Sequence, residues 1–245
     1  MGKKISILIL LLIFLVFINV FAQETVDKAF NKGMEYGKQG KYEEAISEFT
    51  KVIELNPNIS LAYYNRGLAY GNKGNYDQAI SDYTKAIELN PHLTEAYSNR
   101  GNAYNYKGNY DQAISDCTKA IELDPHSAEA YSNRGNAYNY KGNYDQGISD
   151  CAKAIELNPN FAEAYSNRGN AYGVEGKLDQ AIYDLAKAIK LNPNIKTAYY
   201  GLGLAYYYKH EYDKAWQDVH KAESLGIKFD PGFIEVLRKN SGREN

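Results

Sequence analysis

Residues 94–127 read TEAYSNRGNAYNYKGNYDQAISDCTKAIELDPHS, and two helical periods run through them in succession. Ala96, Tyr97, Ala103 and Tyr104 fall at helical spacing and stop at Lys107-Gly108-Asn109. Tyr110, Ala113, Ile114, Cys117, Ala120 and Ile121 form a second periodic run that ends at Leu123-Asp124-Pro125. Gly108 suits the residue that closes a helix, and Pro125 breaks the second helix before the next segment. The stretch predicts a pair of helices, with Gly101 and Ala113 where the two touch. Their lack of bulk lets the backbones approach, while Tyr97, Tyr104 and Tyr110 fill the gaps around them.

The same pattern recurs along the chain. Glycine stands at Gly33, Gly67, Gly101, Gly135, Gly169 and Gly203, at a constant step equal to the length of the stretch 94–127. Proline keeps this beat at Pro57, Pro91, Pro125, Pro159 and Pro193, and alanine at Ala45, Ala79, Ala113, Ala181 and Ala215, with Gly147 standing in once. Six copies follow, at 26–59, 60–93, 94–127, 128–161, 162–195 and 196–229. The compositional bias towards 24 Tyr and 20 Gly is what copying such a segment produces. One helix pair cannot bury its apolar face alone, but stacked neighbours share a continuous core.

These residues resemble the tetratricopeptide repeat (TPR) family, whose repeat has this length and this Tyr…Gly…Tyr…Ala…Ala…Pro pattern. The resemblance covers Val26 to about Phe229 and implies an all-α fold, a right-handed superhelical solenoid of antiparallel helix pairs. It also implies that the first helices line a concave groove. The ends depart from the pattern as the ends of a solenoid should. Ala29 and Lys32 stand where inner copies have Tyr and mostly Arg, and Ile227 replaces the last register proline. Asp230-Pro231 can start a capping helix over 230–240, with Phe233, Ile234, Val236 and Leu237 covering the last pair and 241–245 left as a tail.

The amino terminus stands apart from the repeats. Lys3 and Lys4 precede an uncharged run from Ile5 to Phe21, followed by Ala22. This reads as a secretory signal cleaved near Ala22, which would make the protein periplasmic or secreted. The other reading is a retained anchor over residues 5–21, because a run of that length reaches the lower limit of a spanning helix. In both cases the repeats lie outside, and no membrane insertion is expected beyond this segment.

Little in the sequence points to catalysis. The formal net charge of −2 argues against nucleic acid or anionic lipid as a partner. His92 and His126 share one repeat position in an exposed loop, and neither they nor His210 and His220 sit in a hydrolase, metal or phosphate-loop motif. Cys117 and Cys151 are also one repeat apart, so their spacing should be roughly one helix-packing distance of 8–10 Å, beyond disulfide reach. Asp77, Asp111, Asp145 and Asp179 begin second helices, where they favour the helix dipole. No catalytic residue, cofactor or metal is expected, and the chain reads as a non-enzyme.

The functional signal lies on the first helices. Opposite the core stripe of Tyr97, Arg100, Gly101 and Tyr104, a second stripe carries Glu95, Ser98, Asn99, Asn102, Asn105 and Tyr106. Its first Asn row is Asn31, Asn65, Asn99, Asn133 and Asn167, failing at Gly201; a second row is Asn102, Asn136 and Asn170. Asn105, Asn139, Tyr106 and Tyr140 extend it in the middle copies. Asn is a mediocre helix former, but its carboxamide offers a donor and an acceptor to an extended peptide backbone. The arrangement resembles the asparagine ladder of O-linked N-acetylglucosamine transferases. Asn could instead tie neighbouring first helices together or persist through duplication, since residues 96–124 and 130–158 differ only at 113/147, 118/152 and 124/158. The Ser-Asn-Arg run is also similar to co-chaperone repeats that clamp a carboxylate, yet Phe30, Tyr64 and Ser98 occupy the places of that clamp's basic residues. The expected function is an exported scaffold or adaptor that binds a protein or peptide segment in the groove. The alternative is a structural component of an envelope or secretion complex, working by stacking, convex-face contacts or self-association.

Overall fold

The computed structural model describes residues 23–243, and within them every regular element is an α-helix. In chain order these are α1 (residues 23–38), α2 (Tyr42–Leu55), α3 (Ser60–Asn72), α4 (Tyr76–Leu89), α5 (Thr94–Tyr106), α6 (Tyr110–Leu123) and α7 (Ala128–Tyr140). They continue with α8 (Tyr144–Leu157), α9 (Ala162–Val174), α10 (Leu178–Leu191), α11 (Lys196–Tyr208), α12 (Tyr212–Ser224) and α13 (Pro231–Ser241). The expected export or anchor segment, residues 1–22, lies outside the described residues. Among the described residues no helix is long and apolar enough to cross a membrane.

The chain divides after Lys107 into two compact units. In the N-terminal unit, α2 packs on α3, α3 on α4 and α4 on α5, and the first-type helices α3 and α5 also touch. In the C-terminal unit each helix from α6 to α13 packs on its successor, and α7, α9 and α11 form their own row of contacts.

Small residues set the spacing within each pair. A methyl group on Gly135 would lie 2.8 Å from Cys151 Sγ and 2.9 Å from the Gly147 carbonyl, so the two helices meet backbone to backbone there. The core between pairs is built from Ala, Tyr and single larger groups such as Phe49, Leu185 and Val219, all buried. Burying a side chain of that size contributes roughly 1.5–3 kcal/mol.

Turn chemistry repeats with the same period. The first helix of a pair closes on a left-handed residue at Gly40, Gly74, Gly108, Gly142 and Gly176, and at the equivalent place in the last repeat His210 takes the same conformation (φ 61°). Between pairs, the residue before each register proline accepts a backbone N–H from two residues on, as at Asn90 with His92 (3.1 Å) and Asp124 with His126 (2.9 Å). The two loop histidines therefore serve this turn through their backbone.

An Arg–Asp pair locks most repeats. Arg66 donates twice to Asp82 (both 2.8 Å), Arg134 to Asp150 (2.7 and 2.9 Å) and Arg168 to Asp184 (2.7 and 2.9 Å). The first repeat uses Lys32 and Glu48 in the same places, at 3.1 Å. The last has Leu202 and Asp218, and Asp218 has no ion pair among the described residues. With that cation missing, burial pushes the Asp218 carboxyl up to about 6.

α13 caps the C-terminal unit through Leu237 and Phe233, which join the cluster of Trp216, Val219 and Phe229. Asp230 caps its N-terminus by accepting the Phe233 N–H (3.2 Å). The end differs from the frayed tail expected after residue 240. The helix runs through Ser241, Trp216 Nε1 donates to Ser241 Oγ (3.0 Å), and Arg243 pairs with Asp213 (2.9 Å).

Candidate protein-binding groove

The stripe expected to line a groove resolves into three rows with different surroundings. The first row is largely engaged inside the protein. Asn99 Nδ2 donates to the Tyr64 hydroxyl (3.2 Å) and the Glu95 carbonyl (2.9 Å), Asn65 Nδ2 to the Leu61 carbonyl (2.7 Å), and Asn167 Nδ2 to Ser132 Oγ (3.3 Å). Asn133 is half-buried, and Asn31 is exposed. In Asn99 and Asn167 the amide links one first helix to the one before it, which is the tying role weighed against ligand contact.

The second row differs. Asn102, Asn136 and Asn170 are half-buried, and their amides have no hydrogen-bond partner among the described residues. They keep donor and acceptor capacity for something outside the chain.

The third row corrects the expectation of one continuous exposed stripe. Asn105 is only 6% exposed, so its side chain is not available on an open surface. Asn139 donates to the Asn167 carbonyl (3.0 Å), and its Oδ1 is buried without a hydrogen bond. That oxygen lies in a hollow left by Gly147, where a methyl group would stand 1.8 Å from it. Asn105, the equivalent residue in the copy that keeps Ala113, is buried as well. Tyr106 and Tyr140 are well exposed, at 65% and 63%, but each lays one ring face on a neighbour. Tyr106 stacks on Tyr76 (4.6 Å, 4°) and Tyr140 on Tyr110 (5.1 Å, 7°).

In the C-terminal unit α7, α9 and α11 frame a cavity of about 910 Å³. Five of the expected residues line it: Asn136, Asn139, Tyr140, Asn167 and Asn170. The rest of its wall was not anticipated: Val174, Thr197, Tyr200, Leu204, Tyr208 and Ile227 bring apolar surface to the same space. Comparing repeat positions could have found them. The last copy places Tyr200, Gly201 and Leu204 where the fifth has Ser166, Asn167 and Asn170. In the N-terminal unit the corresponding hollow is smaller, about 220 Å³, and holds Asn65 of the expected set.

Around the groove, lysines at the ends of first helices reach back to acids that begin second helices. Lys73 pairs with Glu43, Lys107 with Asp77, Lys141 with Asp111, and Lys209 with Asp179 (2.5 Å). The acids at these helix starts thus have a second role beside the dipole. In the fifth repeat Glu175 occupies the lysine position and binds Lys177 instead (2.8 Å).

The surroundings of the remaining polar groups suit packing. Cys117 and Cys151 are fully buried free thiols, and burial pushes Cys151 up to about 12, with Cys117 shifted the same way. Such thiols are poor nucleophiles. Among the described residues no group of three or more His, Cys, Asp or Glu could hold a metal ion.

Family models of the tetratricopeptide repeat match residues 60–93, 94–127, 128–161 and 162–195, and a second TPR repeat model matches 33–74. The chain belongs to the tetratricopeptide repeat family, and its fold is the helical solenoid of that family. TPR proteins bind protein or peptide partners and are typically non-enzymatic scaffolds. No curated protein matches the chain. Among solved structures it is similar to a chain of the APC/C hetero-tetramer Cut9–Hcn1, at 21% identity and a TM-score of 0.78. That match covers 91% of this chain and 45% of the other, so the chain spans less than half of that relative. A tetratricopeptide repeat protein from Parabacteroides merdae is 26% identical with a TM-score of 0.69, over 89% of this chain and 84% of that one. YrrB, a TPR protein with an unusual peptide-binding site, is 26% identical with a TM-score of 0.52, over 80% and 98% of the two chains.

Proposed function

We propose that the protein is an exported scaffold that holds an extended segment of a partner protein along its first helices, with the C-terminal unit as the main seat. The observation that carries this reading is the unsatisfied second Asn row beside a large neutral cavity. Asn136 and Asn170 present amides that nothing among the described residues uses, next to the exposed ring of Tyr140. An extended peptide offers alternating N–H and C=O groups that such amides match. The peptide-binding site of YrrB supports the same use of the fold. Export rests on the basic start and apolar run of residues 3–22.

Selection of a random peptide display library on the purified protein, followed by calorimetry on a recovered peptide, tests the groove. Asn136→Ala with Asn170→Ala removes two hydrogen bonds of about 0.5–1.5 kcal/mol each, so affinity should fall roughly tenfold. The thermal melt should stay where it is, since neither amide is used in the fold. Unchanged affinity in this double variant rejects the groove as the seat. The intact mass of the protein from its native source tests export. Loss of residues 1–22 supports cleavage, and retention of them in a membrane fraction replaces it with an anchor.

A further inference from the structure

We infer that the C-terminal unit recognises its partner by one large uncharged side chain, aromatic or long aliphatic, seated between α9 and α11 in the cavity that Val174, Leu204 and Tyr208 border. This rests on the groove reading above and specifies what the groove selects.

The first argument is charge. The residues lining the cavity include no Asp, Glu, Lys, Arg or His. A charged side chain entering it would lose hydration without finding a counterion, whereas an apolar one would gain by leaving water. At about 910 Å³ the cavity falls within the roughly 300–1,000 Å³ typical of pockets that enclose a specific ligand group.

The second argument is how the space arises. In the preceding repeat Asn167 crosses to Ser132 Oγ and occupies the wall between α7 and α9. Its counterpart in α11 is Gly201, and the link to α9 has moved one turn back, to a hydrogen bond between Thr197 Oγ1 and Ser166 Oγ (3.0 Å). The helices remain tied while the wall loses its side chain. A methyl group at 201 would lie 2.2 Å from Asn170 Oδ1 and 2.9 Å from Leu185 Cδ1, so those two side chains lean over Gly201 from the α9 and α10 side.

The third argument is what borders the gap. Val174 and Tyr208 are exposed at 65% and 62%, and Leu204 and Ile227 line the same cavity. Tyr200 is held in place by stacking on Phe229 (4.6 Å, 22°). Asn170 stands at the edge of this apolar enclosure with its amide free, placed to hold the backbone of the residue whose side chain enters.

The test uses capped nine-residue Ser/Gly/Thr peptides that differ only at the central residue: Phe, Leu, Ala, Lys or Glu. Binding to the isotope-labelled protein is read by NMR titration. The Phe and Leu peptides should bind at least tenfold more tightly than the Ala peptide, with Lys and Glu no better than Ala. Shifts should centre on Gly201, Asn170 and Val174. Val174→Asp, an exposed change that leaves the fold intact, should abolish the preference for Phe and Leu, and Gly201→Asn should do the same if its melt shows it folded. Equal binding of Lys or Glu overturns the inference. Binding that depends on Asn136 and Asn170 but shows no preference for the central residue leaves the groove standing and removes the anchor. Absence of any shift with every peptide overturns both.

Discussion

The two compact units are made from one repeat, yet one closes its groove side and the other opens it. Both units carry the amide and ring contacts between repeats, Tyr64 with Asn99 and Tyr76 with Tyr106 in the first, Ser132 with Asn167 and Tyr110 with Tyr140 in the second. The hollow of the N-terminal unit, however, is about 220 Å³ and includes the charged Lys38. In the C-terminal unit Gly201 stands where the row has asparagine, the tie shifts to Thr197, and the uncharged cavity measures about 910 Å³. Backbone and turns follow the same plan in both units. The difference lies in single side chains at equivalent ladder positions, Gly201 against Asn99, on an unchanged scaffold.

The largest effect should come from breaking the shared scaffold. Arg168→Ala leaves Asp184, which is 1% exposed, as an uncompensated buried charge, and should cost about 3 kcal/mol in a urea melt. Arg66→Ala in the N-terminal unit strands Asp82, which is also buried, and should cost a comparable amount. A much smaller loss at either site would mean that the two units are not held by the same lock.

Next comes the hollow at position 147. Gly147→Ala drives a methyl group into Asn139 Oδ1 and should destabilise by about 1–2 kcal/mol. Combined with Asn139→Ala the loss should shrink but not vanish, because the methyl group would still lie 2.9 Å from the Gly135 carbonyl oxygen. An additive double variant would contradict the coupling.

Asp218→Asn sharpens the comparison at the last repeat, where Leu202 replaces the cation of the other copies. A carboxyl raised to about 6 binds its proton more tightly in the folded state than in the unfolded one. Stability therefore falls as pH rises from about 4 to about 6, and the penalty is complete above that window. The variant should gain about 1 kcal/mol at pH 7, after allowance for solvent screening, and nothing at pH 4. Equal gains at both pH values would assign the effect to something other than charge.

The smallest effect is expected at His210, the one non-glycine in the left-handed turn series. His210→Gly should raise stability by about 0.5 kcal/mol, since relief of the backbone strain exceeds the added freedom of the unfolded chain. A fall in the melting temperature would show that the contact of His210 Nδ1 with the Tyr212 hydroxyl (2.8 Å) outweighs the strain.

The helices were legible because glycine, alanine and proline each do one local job that recurs once in every repeat. Gly108 closes a helix and Pro125 starts a loop wherever the neighbours lie, and both stand in the structure where the sequence places them. The groove was legible only in part. Helical spacing puts Asn99, Asn102 and Asn105 on one stripe but cannot say which amide the next helix will use. That depends on Tyr64, in the preceding repeat, for Asn99, and Asn105 is buried where the spacing alone leaves it open. The lysine links were missed for the same reason, as each joins helices of neighbouring repeats that a one-helix reading treats separately. Gly201 was seen as a failure of the ladder; in three dimensions that failure is an opening.

The hollow beneath Asn139 also bears on how two nearly identical copies can trade residues. Asn105, whose copy carries Ala113, is buried just as its counterpart Asn139 is partly buried beside Gly147. Writing the sister copy's alanine into position 147 would bring a methyl group to 1.8 Å from Asn139 Oδ1, so the amide has to turn with the exchange. A position that reads as silent duplication in one dimension is coupled to its neighbour in three.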